Sequence, residues 1–91
     1  METIIITVTG KVQGGGFRYT TFMIAESLNL NGTVKNSKNG KVVIYLQGLN
    51  QQITKFIEQL QNFPNPYAQI NKINTKVIKN TKKFNKFQII Q

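Results

Sequence analysis

A single arginine stands among eleven lysines in this chain of 91 residues, and its setting is unusual. Arg18 closes the run Val12-Gln13-Gly14-Gly15-Gly16-Phe17-Arg18, which lies between a β-rich segment and an amphipathic one. Three consecutive glycines let the backbone curl so that successive N–H groups point into one concavity, a nest suited to an anion. A helix starting there adds unpaired N–H donors and the positive end of its dipole. A cation in the first turn opposes that dipole, so a lone arginine suggests a bound anion that offsets the cost. The guanidinium fork can hold a phosphate or carboxylate through two parallel hydrogen bonds, which lysine cannot do. A second reading stays open on the local pattern alone: a tight strand-to-helix connection followed by a solvated arginine.

Composition narrows the chemistry further. The chain has no His, Cys, Asp or Trp, and its acids are three isolated glutamates, Glu2, Glu26 and Glu58. Disulfide frameworks, Cys/His zinc sites, His-backed nucleophiles and Asp-rich calcium loops all lack their required parts. A carboxylate-pair mechanism is equally ill supplied. Catalysis would have to run on Arg, Lys, Asn, Gln, hydroxyls, backbone dipoles and the substrate itself. The net charge of +9 favours anionic partners. It comes with an abundance of Lys, Asn, Gln and Ile throughout, and so says little about function by itself. No apolar run approaches the roughly 18–20 residues that span a bilayer. The segment Ile4-Ile5-Ile6-Thr7-Val8 lacks the basic flank and cleavage site of a signal peptide. These features predict a cytoplasmic protein with no membrane association.

The elements that must position Arg18 can be read from periodicity. Residues 3–9, β-branched throughout, predict a buried strand. A helical pattern runs from about Tyr19 to Asn29, with Thr21, Ile24, Ala25 and Leu28 on one face and Asn31-Gly32 as its stop. Thr33–Asn36 and Lys41–Leu46 form a hairpin across Ser37-Lys38-Asn39-Gly40, whose Asn-Gly pair accepts positive φ. Ile53, Phe56, Ile57 and Leu60 mark a second helix, N-capped by Asn50 and ended by Phe63-Pro64. After the loop Pro64-Asn65-Pro66-Tyr67 comes a strand near 69–79, where Ile73, Thr75 and Val77 alternate with Lys72, Asn74 and Lys76. Phe84 to Ile90 supplies a last short strand, and Tyr19, Phe22 and Phe63 are assigned to the core or its edge.

The order is β-α-β-β-α-β with a short additional C-terminal strand, in one domain over residues 1–91. This predicts an α+β fold, a ferredoxin-like α/β sandwich with an antiparallel sheet and two helices on one face. Right-handed crossovers place strands 1 and 3 centrally, with strand 2 beside strand 3.

Two spaced signatures give the chain a family likeness. Gly10-Lys11-Val12-Gln13-Gly14-Gly15-Gly16-Phe17-Arg18 resembles the first signature of the acylphosphatase family, Gly-x-Val-Gln-Gly-Val-x-Phe-Arg, at every fixed position but one. Gly32-Thr33-Val34-Lys35-Asn36-Ser37-Lys38-Asn39-Gly40-Lys41-Val42, with Gly48 beyond, resembles the second. The helix ending Ala25-x-x-Leu28-x-Leu30-x-Gly32 is similar as well. Three positions depart: Gly15 where the family has Val, Thr33 where it has an aromatic, and Asn39 where Asp is common. The first is expected to loosen the loop, since a glycine's extra freedom costs about 0.5–1 kcal/mol.

The resemblance implies hydrolysis of the carboxyl–phosphate bond of small-molecule acyl phosphates, without cofactor or metal. It implies that Arg18 holds the phosphate, that Gly14, Gly15, Gly16 and Phe17 form the backbone cradle, that Asn36 orients water, and that Ser37 supports the site. Phosphate or sulfate-like anions are expected at the loop, and the chain is expected to be monomeric. The chemistry is consistent with this residue set. A carboxylate leaves without a strong general acid, and phosphoryl transfer asks mainly for positioning and charge stabilisation. Without the signature, Asn36 would be read as an asparagine serving its turn.

The alternative is a non-catalytic anion- or nucleic-acid-binding module. Lys72, Lys76, Lys79, Lys82, Lys83 and Lys86 crowd the last third, and folds of this kind bind RNA on an open sheet face. Stacking aromatics are scarce on the central strands, where only Tyr45 stands, so nucleic acid is not the expected partner. Acylphosphatase-like units also occur inside larger carbamoyl-transfer proteins; the start at Met1 and the end just past the last strand favour a free-standing enzyme.

Overall fold

The computed structural model describes residues 1–63, 65–79 and 82–91. Its elements are β1 (Glu2–Lys11), α1 (Phe17–Ser27), β2 (Asn31–Asn36), β3 (Val42–Gly48), α2 (Asn50–Gln61), β4 (Gln69–Ile78) and β5 (Phe87–Ile90). The sheet order is β4-β1-β3-β2-β5, which places the first and third strands inside the sheet as the crossover rule requires. β1 pairs antiparallel with β3 and β4, and β2 antiparallel with β3. β5 adds to β2 in parallel, so the sheet is mixed at that edge.

One face of each strand makes the core. Ile4, Ile6 and Val8 of β1 meet Val42, Ile44 and Leu46 of β3, and Val34 of β2 extends the layer. Thr21, Ile24 and Ala25 of α1 and Ile53, Phe56 and Leu60 of α2 close over it. Burying a side chain of this kind contributes about 1.5–3 kcal/mol, which fixes both helices against the sheet and hence the loops at their ends.

Several local expectations need correction. α1 begins at Phe17, two residues before the predicted Tyr19, because Gly16 takes the cap position with φ +81 and Thr20 N–H donates to Gly16 O at 2.9 Å. Its stop is Asn29, at φ +57, and not Asn31-Gly32, which already belongs to β2. Asn29 N–H reaches Glu26 O at 3.1 Å and Leu30 N–H reaches Ala25 O at 3.0 Å, the paired bonds of a Schellman stop. α2 is capped by Leu49 in extended conformation with no side-chain cap bond, so Asn50 is the first helical residue and not the cap. The expected stop at Pro64 lies outside the described residues. Val77 is 57% exposed although it lies on the core face, because β4 runs along the edge of the sheet. Tyr19 is 60% exposed and belongs to neither core nor core edge, whereas Phe22 and Phe63 are half-buried against the core.

Candidate active site

The end of β1 and the start of α1 are joined by a loop whose three glycines have φ of +87, +62 and +81. Only glycine adopts three such conformations in succession without strain. Phe17 is the loop's anchor. It is buried, and its ring stacks on Phe63 beyond α2 with centroids 4.4 Å apart. Gly14, Gly16, Phe17, Arg18 and Ile89 line a cavity of about 130 Å³ at the N-terminus of α1. That is room for roughly four water volumes, a size suited to a phosphoryl group. Larger hollows, about 450 Å³ near Met1, Gln47 and Lys83 and about 460 Å³ along α2, lie away from the loop and lack its convergence of backbone donors and arginine.

Arg18 is half-buried in the first turn of α1, where no acidic residue accompanies it. Its Nη1 donates to the Ile90 carbonyl at 3.4 Å, a long bond that sets the side chain against β5. Phe22 packs on Phe87 with centroids 6.2 Å apart and holds that strand under the helix. The terminal strand thus supplies both a wall, Ile89, and a tether for Arg18.

Asn36 ends β2 opposite Val42, and its Oδ1 is buried with no hydrogen-bond partner among the described residues. Leaving such an acceptor unpaired costs about 1–3 kcal/mol. Ser37 makes its hydrogen bonds within the hairpin. Its hydroxyl proton is shared between Lys41 O, at 3.0 Å, and Asn39 Oδ1, so it fastens its own hairpin turn. Neither Asn36 nor Ser37 lines the 130 Å³ cavity. The hairpin is nevertheless linked to the glycine loop, because Gln13 Nε2 donates to Ser37 O at 2.8 Å and Lys41 O at 3.0 Å.

Three contributors were not singled out from sequence. Gln13 sits in the first signature but gives no local sign that it bridges two loops. Asn65 Nδ2 donates to Gly15 O at 2.7 Å, and Asn65 Oδ1 accepts from Tyr67 N–H at 2.8 Å. This tether offsets the loosening expected from Gly15. Ile89 had only the alternation of a short strand to mark it. Thr33, the second departure, lies directly across from Tyr45, so an aromatic ring still flanks this position from the neighbouring strand.

The acylphosphatase family profile matches residues 4–89. The acylphosphatase of Lactobacillus johnsonii is 42% identical over 90 residues, covering 99% of both chains. The crystal structure of acylphosphatase from Bacillus subtilis superposes with a TM-score of 0.94 at 32% identity, covering 100% of each chain. HypF from T. kodakarensis contains a similar unit, with a TM-score of 0.89 at 34% identity over 100% of this chain and 12% of that one. Signatures, fold and relatives agree: the chain belongs to the acylphosphatase family, and its reaction is the hydrolysis of acyl phosphates.

Proposed function

We propose that the substrate phosphoryl group seats in the cavity formed by Gly14, Gly16, Phe17 and Arg18, with water oriented by Asn36. The observation that carries this reading is the shared lining: backbone of the glycine loop, the first turn of α1 and the sole guanidinium border one small cavity. The equatorial phosphate oxygens accept from loop and helix N–H groups and from Arg18, which opposes the charge they carry in a loose transition state. Asn36 offers its amide oxygen to a water, which satisfies that buried acceptor and sets the nucleophile in line. The water oxygen bonds to phosphorus as the bond from phosphorus to the carboxylate oxygen breaks. The carboxylate leaves with the electron pair, and the water proton passes to a phosphate oxygen. Gly15 keeps the loop's curvature through its left-handed backbone, and Ser37 acts indirectly by holding the hairpin that carries Asn36.

On this reading the enzyme is a cytoplasmic monomer, binds phosphate or sulfate competitively at the loop, and works without a metal, since Arg18 and backbone dipoles supply the positive charge. No described helix is long and apolar enough to cross a membrane. Hydrolysis of benzoyl phosphate in chelator tests the assignment. Arg18→Ala should lower kcat/KM by about 10²–10³-fold, the range for loss of one key transition-state donor, and Arg18→Lys should restore little of it. Asn36→Ala should fall mainly in kcat, while inhibition by inorganic phosphate changes less than threefold. Activity retained in Arg18→Ala would overturn the cavity assignment. A folded wild type without activity would favour an anion-binding module.

A further inference from the structure

The glycine loop has a second side. There Lys11, Gln13, Gly14, Gly15, Pro66 and Tyr67 border a hollow of about 400 Å³, which continues along Ala68 and Gln69. Gly14 lines this hollow and the phosphoryl cavity alike, so the two meet at one residue. We infer that the larger hollow is the subsite for the acyl group and that Tyr67 sets its preference, favouring acyl phosphates whose acyl part has a flat apolar body such as an aromatic ring. This inference rests on the phosphoryl assignment above.

Position supports it first. Gly14 borders both spaces, and Lys11 and Gln69, paired at the end of β1 and the start of β4, place the hollow on the β1–β4 side of the sheet, apart from the hairpin that holds Asn36. An acyl group attached to the bound phosphoryl group therefore has room beside the loop.

The walls come second. Pro66, Tyr67 and Ala68 give an apolar flank, and the Tyr67 ring is 75% exposed, available to a ligand. Lys11, Gln13 and Gln69 supply the polar part of the lining, with the Gln13 amide already committed to the hairpin.

The backbone supplies the third argument. A β-carbon on Gly15 would lie 3.0 Å from Tyr67 Cβ, a contact tight enough to push the tyrosine back by a few tenths of an ångström. Glycine in place of valine at this position leaves Tyr67 room to sit against the loop. Asn65, bonded to Gly15 O and to Tyr67 N–H, fixes that approach. Tyr67 thus brings apolar surface to the place where the family pattern has a valine side chain.

The test is the ratio of kcat/KM for benzoyl phosphate over acetyl phosphate, with inhibition by inorganic phosphate as an independent gauge of the phosphoryl cavity. Tyr67→Ala should lower the ratio about fivefold to tenfold through a higher KM for benzoyl phosphate, in line with the loss of one aromatic contact. Tyr67→Phe should keep the ratio within twofold of wild type. An unchanged ratio in Tyr67→Ala would overturn the inference, while wild-type hydrolysis and phosphate inhibition would leave the phosphoryl assignment standing. Equal losses on both substrates together with weaker phosphate inhibition would also overturn it, by showing that Tyr67 only holds the loop. Hydrolysis of neither substrate by the wild type would overturn both readings.

Discussion

Asn65→Ala isolates the contribution of loop order to phosphate binding, because the side chain touches the cradle only through one carbonyl. The substitution removes the 2.7 Å bond to Gly15 O and the 2.8 Å bond from Tyr67 N–H. Each hydrogen bond contributes about 0.5–1.5 kcal/mol net, and both groups can turn to water here, so the stability loss should total about 1 kcal/mol. For a domain of this size that lowers the melting temperature by about 4–8 °C. The larger consequence falls on binding. Ordering one backbone residue costs about 1–2 kcal/mol, and glycine lies at the upper end. If the tether now holds one glycine of the loop that phosphate must otherwise order, affinity for inorganic phosphate should weaken by about fivefold to thirtyfold. Calorimetric titration with phosphate reads this directly, and kcat/KM on benzoyl phosphate should fall in parallel. Asn65→Asp should bind phosphate more weakly still, since its carboxylate keeps the acceptor for Tyr67, repels Gly15 O and adds negative charge beside the cradle. A melting temperature that falls as expected while phosphate affinity stays within twofold of wild type would refute the reasoning, because the tether would then stabilise the fold without ordering the cradle.

Two further substitutions probe the frame that holds the site. Gln47 is buried and donates to Thr3 Oγ1 at 2.9 Å and Lys82 O at 3.2 Å, while Phe84 N–H donates to its Oε1 at 2.9 Å. Gln47→Leu should cost about 1–3 kcal/mol in denaturant melts and leave kcat/KM near wild type well below the melting temperature, because these bonds lie at the opposite end of β1 from the glycine loop. Gly32→Ala should cost at least about 3 kcal/mol by the same melts, since its β-carbon would fall 1.8 Å from Tyr45 O at φ +144 and force β2 off its register with β3.

Most of the fold is legible in the sequence because each element carries its own period. Ile53, Phe56, Ile57 and Leu60 declare α2, and the Asn39-Gly40 turn ties β2 to β3. Two β-α-β halves then leave little freedom in strand order. What escapes is set by contacts across long stretches of chain. Periodicity misses the first turn of α1 because Phe17 is buried by stacking on Phe63, 46 positions away, and Arg18 carries no helical signature of its own. The parallel addition of β5 depends on the path after β4, where no local pattern gives direction. Asn31-Gly32 and Asn29 compete as stops on composition alone, and the Ala25 and Glu26 carbonyls decide for Asn29. Within the proposed site, type and signature mark Arg18 and Asn36 as candidates, but nothing local marks Asn65 and Tyr67. They matter only because residues fifty positions apart meet at Gly15.

The concentration of unfavourable features at one end of the sheet distinguishes a site from incidental defects. A buried hydroxyl without a partner among the described residues, at Thr21, is no marker by itself, since it sits on the core face of α1. The same defect at Asn36 Oδ1 lies in the hairpin that Gln13 joins to three left-handed glycines and an arginine set against its helix dipole. A cation in the first turn costs about 0.3–1 kcal/mol, and an unpaired buried amide oxygen about 1–3 kcal/mol. Packing explains neither. Replacing Asn36 by an apolar residue would relieve the fold locally, and Arg18→Ala would give up only the long bond to the Ile90 carbonyl. On the proposed function, a phosphoryl group between the loop and Arg18 would resolve the first conflict, because the dipole and the guanidinium would then attract the same anion in place of opposing each other. A water held by Asn36 against that phosphorus would resolve the second. The two conflicts thus fall on the groups that substrate and water would engage under the proposed function, as expected where positioning is built into the fold.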